Sequence, residues 1–289
     1  MKTRLRVLAA LACLAGAAAP GGAATPADAQ ALFQARRYAE AQAAFEQIAA
    51  AEPDNAEAAY RLGLLALKRD DPDEAVRRLE RAAQLAPRQA AYFQALGDAY
   101  GVSAESAGLF AKLGLARRCG AAYEQAVALE PSSISARHAL FTFYRQAPSI
   151  AGGGFEKARA QAVEIRRLDV VRGTLALVEL DVAEKNYGEA FTALAALRRS
   201  HPEAATVAYQ IGRTAAMSGL ELDQGEAALM EYLQGSPGEE DAPLWAAHWR
   251  LGQIHERQGR RDAARDEYAA ALKLNPTQPQ LVEAMARVK

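Results

Sequence analysis

Cysteine is almost absent. Two occur in 289 residues, Cys13 and Cys119, so no disulfide framework can organise this chain. Aromatics amount to only 7%, and no segment alternates β-branched with polar residues over the length of a strand, which leaves nothing to specify a sheet. Charge of one sign is missing too: Lys and Arg number 34 against 35 Asp and Glu. With no basic block, nucleic acid or an anionic membrane is disfavoured as the main partner. What is abundant is apolar residues, 51% of the chain, and much of that share is alanine, the best helix former. An all-α fold is expected.

Residues 1–24 read differently from the rest. Lys2, Arg4 and Arg6 form a positive start, Val7 to Ala19 an apolar stretch, and the small residues that follow a cleavage region between Ala19 and Ala24. The apolar stretch is shorter than the roughly 20 residues that span a bilayer, so the expectation is an export signal, no integral membrane span and, in a bacterial-type cell, a periplasmic destination. Lipidation at Cys13 fits less well, because Ala10-Leu11-Ala12 is a poor lipobox. Loss of the leader removes three basic residues and no acid, leaving 31 against 35 and a net charge of −4. Cys119 is then the only cysteine, at a small-residue position, which points to a buried inert thiol.

The remainder is organised around residues 245–276. These read Leu251-Gly252, His255, Gly259, Ala264, Tyr268, Ala271 and Pro276. The spacing L-G-x2-Y, A-x3-F, P in a unit of about 34 residues resembles the tetratricopeptide repeat. The resemblance implies two helices joined by a short turn, each hairpin stacking on the next to cover an apolar face it cannot cover alone. Gly252 and Ala264 would be the small residues where the two backbones cross, Tyr268 the wedge towards the neighbouring hairpin, and Pro276 the helix stop. Extended over the chain, the resemblance predicts a right-handed superhelical solenoid of about seven such hairpins over residues 25–289, closed by a C-terminal capping helix with Leu281, Val282 and Met285 inward.

Earlier copies are of uneven clarity. The first has a short opening helix, then Tyr38, Ala41, Phe45, Ile48 and Pro53. The second is regular, with Leu62-Gly63, Ala75, Leu79, Ala82 and Pro87, 34 residues after Pro53. In the third, Leu96-Gly97 and Tyr100 are followed only later by Cys119, Tyr123 and Pro131, 44 residues after Pro87. The surplus lies within 102–118, whose apolar content requires burial: it either lengthens the hairpin or folds back. The fourth holds a long connection at 146–154 with Pro148 and Gly152-Gly153-Gly154. Leu177, Tyr187, Ala190, Leu194, Leu197 and Pro202 mark the fifth, and Ile211-Gly212, Ala215 and Gly219 the sixth. A polar loop at 235–243 precedes the seventh.

Candidate chemistry is sparse. His248 and His255 share a helix face, but no third metal ligand stands at a useful spacing, and His255-Glu256 lacks the second histidine of a zincin. Gly152-Gly153-Gly154 is followed by Phe155-Glu156-Lys157, not by the Gly-Lys-Ser/Thr of a phosphate loop. No nucleophile–base or paired-carboxylate spacing appears, so no catalysis, metal or cofactor is expected. The resemblance places binding residues on the inner face of the first helices: Tyr60, Leu64 and Lys68; Gln94 and Asp98; His138, Thr142 and Arg145; Tyr209 and Arg213; Trp249, Gln253 and Arg257. Aromatics and arginines among them are the types that carry interface energy. The lysine–asparagine clamp of chaperone-binding relatives is not reproduced, since Tyr60, Leu64, Gln94 and Asp98 occupy those places. Leu109, Phe110, Pro148 and Ile150, on the two insertions, form a second candidate docking surface. The functional expectation is a non-catalytic scaffold that binds a protein or extended peptide in the cell envelope. Alternatives are an accessory subunit of an envelope enzyme or assembly complex docking through the insertions, and a self-associating structural element.

Overall fold

The computed structural model describes residues 25–235, 237–238 and 241–288. The leader, with Cys13 and the expected cleavage region, lies outside them, as do three positions of the 235–243 loop. Among the described residues there is no strand, and fifteen α-helices form seven consecutive hairpins and one closing helix. Contacts divide the chain into two compact units, residues 1–86 and 87–289. The first unit holds α1 (Pro26–Gln34), α2 (Tyr38–Ala51), α3 (Ala56–Lys68) and α4 (Pro72–Leu85). The second holds α5 (Ala90–Ser106), α6 (Leu109–Leu129), α7 (Ile134–Gln146), α8 (Phe155–Leu168), α9 (Val170–Ala183), α10 (Tyr187–Ser200), α11 (Ala205–Ser218), α12 (Leu222–Gln234), α13 (Leu244–Arg257), α14 (Arg261–Leu274) and α15 (Pro279–Arg287).

Local chemistry explains where helices begin. Thr25 and Asp28 form a capping box on α1, and Asn55, Asp71, Ser133 and Asp169 each accept a bond from the third residue of the helix they precede. Pro26, Pro72 and Pro279 occupy first helical positions, where the missing N–H costs nothing. The turns inside four hairpins are identical in kind. Arg36 (φ 57°), Asp70 (φ 59°), Lys185 (φ 64°) and Gly259 (φ 76°) are left-handed. The residue after each donates its N–H five residues back: Arg37 to Leu32, Asp71 to Ala66, Asn186 to Asp181, Arg260 to His255. That bond satisfies an orphan carbonyl and reverses the chain in three residues.

Packing inside the hairpins rests on one repeated contact. A Cβ added at Gly63 would lie 2.5 Å from Leu79, at Gly97 2.5 Å from Tyr123, at Gly212 2.1 Å from Leu229, and at Gly252 2.5 Å from Tyr268. The glycine of the first helix therefore accepts a large side chain from the second. This corrects the expectation for the seventh hairpin: Tyr268, not Ala264, faces Gly252, while the same ring also packs with Ala284 and Val288 around α15. Leu281 and Ala284 on α15 and Val288 just after it are buried, but Val282 is 55% exposed. The buried stripe follows helical spacing from Leu281, and Val282 is turned away from it by about 100°.

Three departures from regularity shape the second unit. The third hairpin is lengthened, α5 having 17 residues and α6 21 against 13 and 14 for α3 and α4. The surplus thus extends both helices instead of folding back, and the burial expected for its apolar residues does not occur: Leu109 is 80% and Phe110 92% exposed at the tip. In the fourth, a 3-10 turn at Ser149–Ala151 and the triple glycine make the connection. Gly152 and Gly154 have φ of 101° and 155°, and a Cβ on Gly153 would sit 1.8 Å from the Ala147 carbonyl oxygen. Finally, linkers 52–55, 130–133 and 275–278 separate neighbouring hairpins, yet Asp169 alone separates α8 from α9. It ends one helix and caps the next. The short link presses the helices together, so that a Cβ on Gly173 would lie 2.0 Å from the backbone nitrogen of Arg166.

Candidate functional site

The first helices α7, α9 and α11 of three consecutive hairpins enclose an open groove of about 820 Å3. His138, Tyr209 and Arg213, all named from the sequence, meet there. Arg145 reaches across from α7 to α9, its Nη2 3.2 Å from Glu179 Oε1, while its Nε is buried without a partner. Tyr209 packs its ring 5.5 Å from that of Tyr232, and His138 lies 5.9 Å from Phe141. Thr142 is half-buried on the same helix.

On α13, Trp249 stacks with Trp245 at 6.4 Å and carries the Arg250 guanidinium 4.3 Å from its ring centroid. Gln253 accepts from Arg250 Nη1 at 2.8 Å. Arg257 is engaged elsewhere: it donates to the carbonyls of Ala216 (2.9 Å) and Met217 (3.1 Å) at the C-terminal end of α11, where a cation is favoured. Gln94 donates to Ser135 Oγ at 2.8 Å, tying α5 to α7, and Asp98 accepts from the Tyr123 hydroxyl at 2.6 Å. In the first unit, Tyr60 and Leu64 are half-buried on α3, with the Arg61 guanidinium 5.2 Å from the Tyr60 ring, and Lys68 places its ammonium 4.9 Å from the ring of Tyr38.

Sequence reasoning missed Arg172 and Glu179, both on α9 and both lining the groove, as well as Gln210 and Arg250. No proline precedes the first helix of the fifth hairpin and no Leu-Gly pair stands on it, so the landmarks from which inward positions are counted are missing and nothing on α9 could be nominated. Arg250 stands next to a nominated position and joins the group only because its side chain turns along Trp249.

The two insertions meet at their bases. Arg117 donates from Nε and Nη2 to the Ile150 carbonyl at 3.2 and 3.1 Å. Ile150 is 64% exposed, and Pro148 is also exposed. Cys119 is buried against Gly101, and burial pushes its thiol up to about 12, beyond the range of a nucleophilic thiolate.

His248 Nδ1 lies 2.6 Å from Glu267, and His255 is buried. Among the described residues no group of three or more His, Cys, Asp or Glu is arranged to hold a metal ion, and no helix is long and apolar enough to cross a membrane.

Residues 32–99 and 245–278 match family models described as tetratricopeptide repeat. No curated protein matches the chain. Among solved structures, a tetratricopeptide repeat protein from Parabacteroides merdae is 15% identical with a TM-score of 0.68, the alignment covering 91% of this chain and 96% of that one. Pseudomonas aeruginosa pilF is 16% identical with a TM-score of 0.54, covering 80% and 97%. Yeast Tom70 is 15% identical with a TM-score of 0.65, but this chain spans only 51% of it while 87% of its own length is covered. At these identities the likeness is one of fold.

Proposed function

We propose that this chain, whose residues 32–99 and 245–278 match tetratricopeptide-repeat models, is a non-catalytic protein–protein interaction scaffold that holds an extended peptide or protein segment along its first helices, in the cell envelope. The observation that carries this reading is the groove in which α7, α9 and α11 bring His138, Tyr209 and Arg213 together. A long open trough suits an extended chain better than a small molecule, whose sites enclose most of the ligand surface. The export leader read from residues 1–24 supports the location.

The test is affinity capture from an envelope fraction with the mature chain and with a variant altered at Tyr60, Tyr209, Arg213 and Trp249. A partner retained by the first and lost by the second, with helicity unchanged, supports the reading; equal capture by both refutes it. One observation favours docking through the insertions instead, namely the exposure of Leu109, Phe110 and Ile150. Deleting 102–118 separates the two, because groove binding survives that deletion.

A further inference from the structure

Arg213 and Arg250 belong to adjacent first helices, α11 and α13, and among the described residues neither is ion-paired. Both donate to a neutral amide one turn away, Arg213 Nη1 to Gln210 Oε1 at 3.2 Å and Arg250 Nη1 to Gln253 Oε1 at 2.8 Å, and Arg250 also meets the Tyr209 hydroxyl. Among the described residues no carboxylate lies within ion-pair distance of either. The acids that line the same groove are already engaged. Asp169 is 3.6 Å from Arg172, Glu179 is 3.2 Å from Arg145, and Asp241 accepts from the Gly238 N–H at 2.8 Å. Arg250 Nε is buried with no partner. Its guanidinium lies over the Trp249 ring, 4.3 Å from the centroid, a cation–π contact that helps to position the fork before any ligand arrives.

We propose that Arg213 and Arg250 form the anion-binding element of the groove, and that its occupant is an extended peptide segment carrying side-chain carboxylates. This rests on the groove reading above and adds the charge of the partner. Two neighbouring cations without an anion are costly in a partly desolvated place. The pKa of Arg250 is lowered chiefly by burial; Tyr209 acts against that shift, and the nearby charge of Arg213 adds to it. A carboxylate pair spaced along an extended strand relieves it with planar, charge-assisted hydrogen bonds. Tyr209, beside both arginines, and Trp249 supply aromatic surface for the aliphatic residues between the acids.

The probe is a fluorescein-labelled, C-terminally amidated ten-residue peptide of alternating Glu and Leu, compared with the same peptide carrying Gln for Glu. Anisotropy is read with the full mature chain in 50 mM and 300 mM salt. The expected result is at least tenfold tighter binding of the acidic peptide at low salt, a preference that shrinks at high salt and disappears in R213Q/R250Q. Should the double variant melt early, R213Q alone carries the test and weakens the acidic peptide about tenfold, the loss of one ion pair worth about 1.4 kcal/mol. If both peptides bind alike and both weaken in Y209A, the groove reading stands and the anion assignment falls. If neither binds up to 1 mM, or if a dT20 oligonucleotide binds more tightly than the acidic peptide, the proposal is overturned.

Discussion

The ring of Tyr268 occupies the volume that a side chain on Gly252 would need, its Cε1 2.5 Å from the position of an added Cβ. The tyrosine is fully buried and its hydroxyl donates to Glu256 Oε2 at 2.7 Å, so the ring cannot swing aside without breaking that bond. Gly252→Ala should therefore destabilise the protein by about 1–3 kcal/mol, the range for overpacking a filled core, despite alanine's better helix propensity. Gly114→Ala is the matched control. That glycine is also within a helix, but an added Cβ meets nothing within 4 Å, and a gain of about 0.5–1 kcal/mol is expected. Urea denaturation of the two variants gives both signs in one experiment.

Gly173 presents a harder obstacle, since the atom its Cβ would meet is backbone, not a movable side chain. Gly173→Ala is expected to cost about 3 kcal/mol, at the top of that same range. Its effect should be local, with amides of α8 and α9 losing hydrogen-exchange protection before those of α13 and α14.

Lys185 turns the fifth hairpin with a φ of 64°, where the seventh uses Gly259. A side chain in the left-handed region costs roughly 1–2 kcal/mol, while glycine's greater freedom in the unfolded chain returns roughly half of that. Lys185→Gly should raise stability by about 0.5–1 kcal/mol, read as a higher denaturation midpoint with an unchanged slope.

Glu226 is held below the ordinary carboxylate pKa, first by hydrogen bonds from Arg260 and against the opposing effect of burial. It also receives Gln258 and stands 4.0 Å from His255 Nδ1. A carboxyl with a depressed folded pKa contributes stability that is fully present above its unfolded value, about 4.3, and is lost as pH falls through the folded value. Glu226→Gln should thus lower stability by about 1 kcal/mol at pH 7, a figure discounted for the partial exposure of the pair. The gap between variant and parent should close as the pH is taken below 4. A gap that persists at pH 2.5 would show that packing, not charge, is responsible.

Cys119 should be inert in the folded chain. With its thiol pushed up to about 12 by burial, only on the order of one molecule in 10^4 carries a thiolate at pH 8. Thiol labelling with a disulfide reagent is expected to proceed at the rate of unfolding and to become immediate in denaturant. Fast labelling of the native protein would contradict the packing described for the third hairpin.

Much of this was legible in the residues. Leu62-Gly63, Leu96-Gly97, Ile211-Gly212 and Leu251-Gly252 announce four crossings, because glycine next to a large aliphatic on a helix is otherwise unfavourable. The glycine's partner was harder to read. It is Leu79 once and Tyr268 another time, and only the meeting of two helices shows which side chain fills the gap. The fifth hairpin was legible in its second helix and obscure in its first, since α9 is apolar on most sides and starts one residue after α8 ends. The exposure of Phe110 could not be inferred, because an apolar residue in a lengthened hairpin reads as core until the neighbours prove too short to cover it.

The sequence by itself determined the helices, their caps, the hairpin unit and its sevenfold recurrence, because these depend on residues within one repeat length of each other. Tertiary structure alone decided which charged groups found partners. Arg145, Arg172 and Arg257 are met by groups on neighbouring turns or helices, while Arg213 and Arg250 meet no carboxylate among the described residues. An ion pair depends on where two side-chain ends arrive across separate hairpins, and that distance is written in no local pattern.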